Sequence, residues 1–243
     1  MAAAAGKTAA LYSGGIDLSG YFRSGSINGV AAVEDSTVWG AATAAHAYTP
    51  TLLDHTAAFG GFFEGGADKV DEELAAALGT DSTPIMVWLP AGDAVGNRAF
   101  PIMADTTAYE ITDEVDGLIE VSAEVQGNGW YPGIVLAAKA TYTSTSTGAA
   151  QDNSASSANG GDAFLQIFSV SAGDTIDAVV QDSADGSTDW QAIATFTQGT
   201  DANDPQAQRV VIAGTIRRYT RAVLTLGGAS ISIVAAVQLH RNP

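Results

Sequence analysis

The chain has 243 residues, of which 46% are hydrophobic and only 15% charged, with a net charge of −17. Such a length and apolar share allow one large domain or two moderate ones, while the acidity excludes a nucleic-acid clamp and docking on anionic membranes, both of which need Lys and Arg against phosphate. With no cysteine, disulfide scaffolds, thiolate catalysis and Cys-ligated metals are excluded too.

Charge is uneven along the chain: residues 1–139 carry −13 and residues 140–243 carry −4. The asymmetry predicts halves with different jobs. The start, MAAAAGK, lacks the basic region of a signal peptide. No run approaches the ~18 apolar residues of a membrane helix.

In chain order, residues 1–10 read as an arm of small residues. Residues 16–22 alternate like a half-buried strand, 24–29 (SGSING) break it, and 30–39 follow as a strand. Residues 49–64 read as a bent strand or strand pair, with Gly60 and Gly61 marking a bulge or a close backbone approach. Residues 67–79 (ADKVDEELAAALG) give the single strong helix signal. Asp68 is the expected N-cap, Asp71 and Glu72 complement the dipole, Val70, Leu74, Ala77 and Leu78 form the apolar stripe, and Gly79 is the stop.

Residues 83–89 predict a buried strand, and 99–103 and 108–111 two short strands separated by polar turns. In 118–126 the residues Ile119, Val121, Ala123 and Val125 alternate with Glu120, Ser122, Glu124 and Gln126, the pattern of a strand with one dry and one wet face. Residues 140–161 are rich in Ser, Thr, Gly and Ala, the composition of a linker. Beyond it, 163–170, 175–181, 190–197, 209–213, 219–226 and 229–239 read as strands, with Asp185-Gly186 at the heart of a hairpin turn and 199–208 as a polar loop.

Several segments from 11 to 136 carry a resemblance. They are LYSGGIDLSGYF (11–22), SINGVAAVEDSTVWGA (26–41), YTPTLLDHTAAFGGFFEG (48–65), the helix, LPAGDAVGNRAF (89–100), AYEIT (108–112) and IEVSAEVQGNG (119–129). In this order they resemble the major tail (tail tube) proteins of long-tailed actinobacterial phages. The likeness covers about half the chain and implies a mainly β fold, a tail-tube-type β-sandwich or barrel flanked by one α-helix. It also implies hexameric rings stacked as a tube that conducts DNA. VVQDSADGSTDWQAI (179–193) and RRYTRAVLTL (217–226) resemble a β-sandwich appended to virion proteins and are similar to discoidin-type carbohydrate-binding domains, although Asp189 adds a residue between the turn and Trp190. The expected organisation is an N-terminal arm at 1–10, a tail-tube-like β domain at 11–139 with its helix at 68–78, a linker at 140–161 and a C-terminal β-sandwich at 162–243.

The chemistry-bearing residues fit this frame. His46, His55 and His240 match no metal spacing. No nucleophile-elbow pattern occurs, and Asp182, Asp185 and Asp189 fail the EF-hand pattern and read as a turn. Asp113, Glu114, Asp116, Glu120 and Glu124 admit a glycosidase carboxylate pair or a plain solvated face. The resemblance adds a third reading, in which Glu114, Asp116, Glu120 and Glu124 line a lumen and repel phosphate so that DNA slides. Arg217 and Arg218, in a cluster with Arg209 and Arg221, are expected at a subunit interface, where charge reversal weakens assembly. Trp39 and Phe62 are further interface candidates, and Trp130-Tyr131 would be a sugar platform if the chain bound glycans.

No catalytic residue, metal or cofactor is expected, and the chain is read as a non-enzyme. Its partners are other copies of itself, other tail proteins and DNA passing without specific binding. No membrane is involved, and a weak glycan contact is assigned to the C-terminal domain. The expected location is the virion tail, assembled in the host cytoplasm. The alternative is a carbohydrate-binding or decoration module on a virion or cell surface, with a depolymerase as the enzymatic rival.

Overall fold

The computed structural model describes residues 6–37, 46–80, 84–229 and 231–242. The first half holds β1 (Ala10–Ser13), β2 (Ile16–Asp17), β3 (Phe22–Asp35), β4 (Tyr48–Phe62), α1 (Val70–Ala76), β5 (Ile85–Leu89), β6 (Arg98–Thr112) and β7 (Glu120–Trp130). The second holds β8 (Gly133–Tyr142), β9 (Ser146–Thr147), β10 (Gln151–Asp152), β11 (Gly161–Val170), β12 (Thr175–Ser183), β13 (Gln191–Thr195), β14 (Gly199–Thr200), β15 (Gln206–Ile212), β16 (Tyr219–Gly227) and β17 (Ile233–Arg241). The protein is mainly β with one α-helix, as the alternating patterns predict. Among the described residues no helix is long and apolar enough to cross a membrane.

An 11-stranded sheet runs β15-β11-β17-β8-β6-β5-β1-β2, and a branch β7-β4-β3 leaves it from β6. The branching follows from the length of β6. Its start pairs with β8 at Arg98 and Ala99, its middle with β5, and residues 102–112 with β7. A second, six-stranded sheet centres on β16 and β12.

Two cores result. One fills the C-terminal sandwich with Leu136, Leu165, Ile167, Ile176, Val180, Leu224 and Val237. The other lies under α1, with Val70 and Leu74 against Leu11, Phe59, Met86, Ile102, Val121 and Val125. A third cluster, Tyr12, Val87, Leu89, Ala99, Val135 and Ala236, joins them. Polar contacts lock the same junction. The Gln166 side chain accepts from the Gly15 N–H at 2.8 Å and donates to the Ile85 carbonyl at 3.1 Å. Tyr12 donates to Asp93 at 3.1 Å, and Lys139 pairs with Asp17.

Several local expectations are corrected. Asp68 does not cap the helix: it sits at φ 58, Lys69 holds the cap position, and no side chain bonds there. The helix runs over seven residues, and Leu78, expected on the buried stripe, is 44% exposed beyond its end. SGSING (24–29) is strand interior, not a break. Its glycines serve packing, because a Cβ on Gly29 would lie 2.4 Å from the Trp130 ring and one on Gly25 3.1 Å from Phe59. The strand expected over 16–22 is interrupted by a turn in which the Tyr21 N–H donates to the Leu18 carbonyl. The two short strands expected between 99 and 111 are one 15-residue strand, β6.

The expected boundary after 139 lies inside β8, which pairs along β17 as part of the C-terminal sandwich. The stretch 140–161 is paired chain. Within it β9 and β10 join β16, and Ser157 and Ile216 exchange backbone bonds of 2.9 and 2.8 Å.

Candidate functional site

The register of β6, β7, β4 and β3 builds one continuous outer face. Along β7, Val121, Ala123 and Val125 are buried while Ser122 and Glu124 point to solvent. Glu120 lies between Phe62 and Thr112, Ser122 between Gly60 and Glu110, and Glu124 between Ala58 and Ala108. On β3, Ser24, Ser26 and Asn28 stand opposite Gly60, Ala58 and Thr56. The face is therefore made mostly of Ser, Ala, Gly, Thr and Asn, punctuated by Glu110, Glu120 and Glu124, with the half-buried Phe62 in its last row. Arg23 reaches it, but its guanidinium pairs with Glu120 at 2.5 Å.

Glu120 and Glu124, two of the four lumen candidates, share this face. Glu114 and Asp116 do not. They lie in the exposed turn between β6 and β7, closed by a Gly117 N–H to Glu114 carbonyl bond of 3.0 Å, and extend the acidic character past the end of the sheet.

The sheet has open flanks. Among the described residues β3 pairs only with β4, so one side of this 14-residue strand carries no partner there. On the opposite flank, β6 beyond Thr106 pairs only with β7 among the described residues. Unpaired strand edges of this length template addition of another strand. Beyond Asp54, β3 and β4 leave β7 behind and project as a two-stranded hairpin. It exposes Val30, Val33, Tyr48, Leu52 and Leu53, the last two at 76% and 71%. The register places the described ends of this hairpin and the 113–119 turn at opposite ends of the same sheet.

The interface candidates divide. Phe62 ends β4 at the sheet margin, half-buried, with the Arg23 guanidinium 5.2 Å from its ring centre. Trp39 lies outside the described residues. Arg217 and Arg218 are committed within their own chain. Arg217 pairs with Asp182 at 2.7 Å and with Asp189 at 2.9 Å. It also donates to the carbonyls of Asp182 and Asp189. Arg218 grips Asp152 with two bonds of 2.7 and 2.6 Å, which hold the Asp152 carboxyl down at about 2. Arg209 pairs with Asp162, and Arg221 stacks 3.9 Å from the Trp190 ring centre.

The acidic turn at 182–189 is occupied by its own donors. Asp185 accepts from the N–H groups of Ser187 and Thr188 and from both hydroxyls nearby, which lowers its pKa. The histidines are scattered. His46 pairs with Asp35, His55 packs on Trp130, and His240 bonds the Pro132 carbonyl. Among the described residues no cluster of His, Asp and Glu could hold a metal. Trp130 and Tyr131 face different neighbours, Phe100 and His55 for one, Phe164 and Arg209 for the other, so they form no shared platform.

The unpaired half of β6 was not legible in sequence, because a long strand and two short ones share the same alternation. The absence of Gly, Asn and Pro from residues 103–109 is the signal that distinguishes them, even though the pairing with β7 shifts register between Thr106 and Ala108.

No protein-family model matches the chain, and no curated protein matches it. Among solved structures, a chain of the virion of a native gene transfer agent particle aligns with 52% of this chain and 95% of its own, at 12% identity and a TM-score of 0.43. A chain of the anti-feeding prophage baseplate covers 51% of this chain and 89% of its own, at 10% identity and 0.40. The Dit protein of SPP1, from the hub adsorption apparatus of phages infecting Gram-positive hosts, covers 97% of this chain and 99% of its own, at 13% identity and 0.38. All three likenesses are distant.

Proposed function

We propose that this chain is a structural virion protein forming hexameric rings that stack into a phage tail tube with an acidic bore for DNA. The observation that carries this reading is the four-stranded sheet β6-β7-β4-β3, which combines free edges on both flanks with an acidic face. β3 and β6 run in opposite directions. Copies rotated about an axis along the strands therefore bring the β6 edge of one antiparallel to the β3 edge of the next. Four strands per copy then close a barrel. Glu110, Glu120 and Glu124 face inward, where like charge denies DNA a sticking site. The β3–β4 hairpin, with its exposed apolar side chains, bridges to the adjacent ring. The C-terminal sandwich, from about 133 onward, sits outside, where it meets other tail proteins. The chain performs no catalysis.

Negative-stain microscopy of the purified chain tests the ring. Rings or tubes are expected, and discrete monomers at every concentration would end the reading. The bore is tested by Glu120→Lys with Glu124→Lys. Tubes of this variant should retain DNA at low salt and release it at high salt, while parent tubes retain none. Equal retention by both would remove these residues from the bore.

A further inference from the structure

A cavity of about 500 Å³ opens beneath the β3 edge. Phe22, Phe59, Trp88 and its cross-strand partner Leu11 form its apolar wall, half-buried Ala9 lines it as well, and the exposed Lys7 and Arg23 complete the lining. Lys7 makes no ion pair among the described residues. An aromatic-lined, cation-rimmed cleft on so acidic a chain is shaped for an apolar ligand that carries negative charge.

The same chain carries such a segment. The 113–119 turn reads DEVDGLI. Val115 is fully exposed and Leu118 is 69% exposed, with Asp113, Glu114 and Asp116 beside them. These two are among the most exposed apolar residues of the chain, and nothing within the described residues covers them. The turn follows directly on the free edge of β6, and the cavity lies directly under the free edge of β3. The register puts both at the same end of the sheet, since Phe22 pairs at Gly61, next to the Phe62–Glu120–Thr112 row.

We infer that the cavity is the socket for the 113–119 turn of a neighbouring copy, a contact that rests on the ring reading above. Val115 and Leu118 insert against Phe22, Phe59 and Trp88. The three carboxylates meet Lys7 and Arg23. Arg23 already holds its own Glu120 at the rim, so it shares its charge between the two. Because turn and socket are unlike patches, the contact is head-to-tail and propagates around a ring instead of stopping at a dimer. It also fixes the register of the β6–β3 edge pairing, which backbone bonds alone leave free to slip by two residues.

The chain has no native cysteine, so a designed pair is unambiguous. Ala9→Cys combined with Val115→Cys should, under mild oxidation of assembled protein, give a ladder of cross-linked multimers on a non-reducing gel. Each single variant should give dimers at most. Assembly of the double variant without a ladder, or a fast-migrating monomer with an internal disulfide, would overturn the socket and leave the ring intact. Failure of the parent chain to assemble would overturn both. A second pair covers the case in which the cysteines disturb folding. Val115→Asp should weaken assembly roughly tenfold, as loss of an anchoring apolar residue does, while Val95→Asp, on another exposed apolar residue, should not. Equal effects of the two would also sink the socket.

Discussion

The two halves of the molecule handle strand edges and charge in opposite ways. In the C-terminal sandwich the marginal strands are short, with two residues in β9, β10 and β14, five in β13 and seven in β15. Its arginines are consumed inside: Arg217 by Asp182 and Asp189, Arg218 by Asp152, Arg209 by Asp162. In the N-terminal half, β3 offers a 14-residue edge, β6 a second one, and the β3–β4 hairpin exposes leucines. Short edges and internal ion pairs are how a domain avoids its own copies, and long bare edges are how one invites them. One half is closed by its own strands, and the other keeps long open edges among the described residues.

Substitutions can break this contrast. The largest effect is expected from Leu52→Asp with Leu53→Asp. Both side chains are exposed, so the melting temperature should hold, and tube length seen by microscopy should collapse to single rings. Normal tubes would detach the hairpin from stacking. Next comes Arg217→Ala, which leaves Asp182, 3% exposed, without its cation. Calorimetry should show a loss of roughly 3 kcal/mol, the low end for breaking a buried pair, since Arg217 keeps a fifth of its surface in water. Below the lowered transition the variant should still assemble, because this arginine serves the sandwich. A stable variant that fails to assemble would restore Arg217 to the subunit interface.

The smallest effect sharpens the comparison through pH. Burial raises the Glu73 carboxyl above its ordinary 4.5, against the opposing pull of the Ser13 hydroxyl that donates to it at 2.8 Å. Its contribution to stability is thus full below pH 4.5 and is lost as pH rises through the raised value. Glu73→Gln should abolish that decline and leave the N-terminal half more stable at neutral pH. Asp152, held down by Arg218, has the opposite sign, since its contribution is present above pH 3.8 and lost as pH falls toward 2. Urea melts across pH that are unchanged by Glu73→Gln would show that Glu73 is ionised without cost in the fold.

The β class, the position of the helix, the Asp185-Gly186 turn and the two faces of β7 were all legible, because each is written in the spacing of neighbouring residues. Asp68 misled because an acidic residue before an apolar stripe satisfies the N-cap pattern, and only the backbone records its left-handed φ. Gly25 and Gly29 misled for a related reason: a turn glycine and a glycine under an aromatic ring are the same letter.

Sequence by itself thus determined what each segment is: which stretches alternate, where the chain turns, and that its surface is acidic. Tertiary structure alone decided what each segment meets. It put β8 and the Ser/Thr-rich stretch into the sandwich, turned Arg217 and Arg218 toward Asp182 and Asp152, and left one edge of β3 and of the end of β6 without a partner among the described residues. The physical reason is range. Periodicity and turn chemistry act over a few residues, whereas strand pairing and ion pairing join residues far apart in the chain, and a missing partner cannot be read from the strand that lacks it.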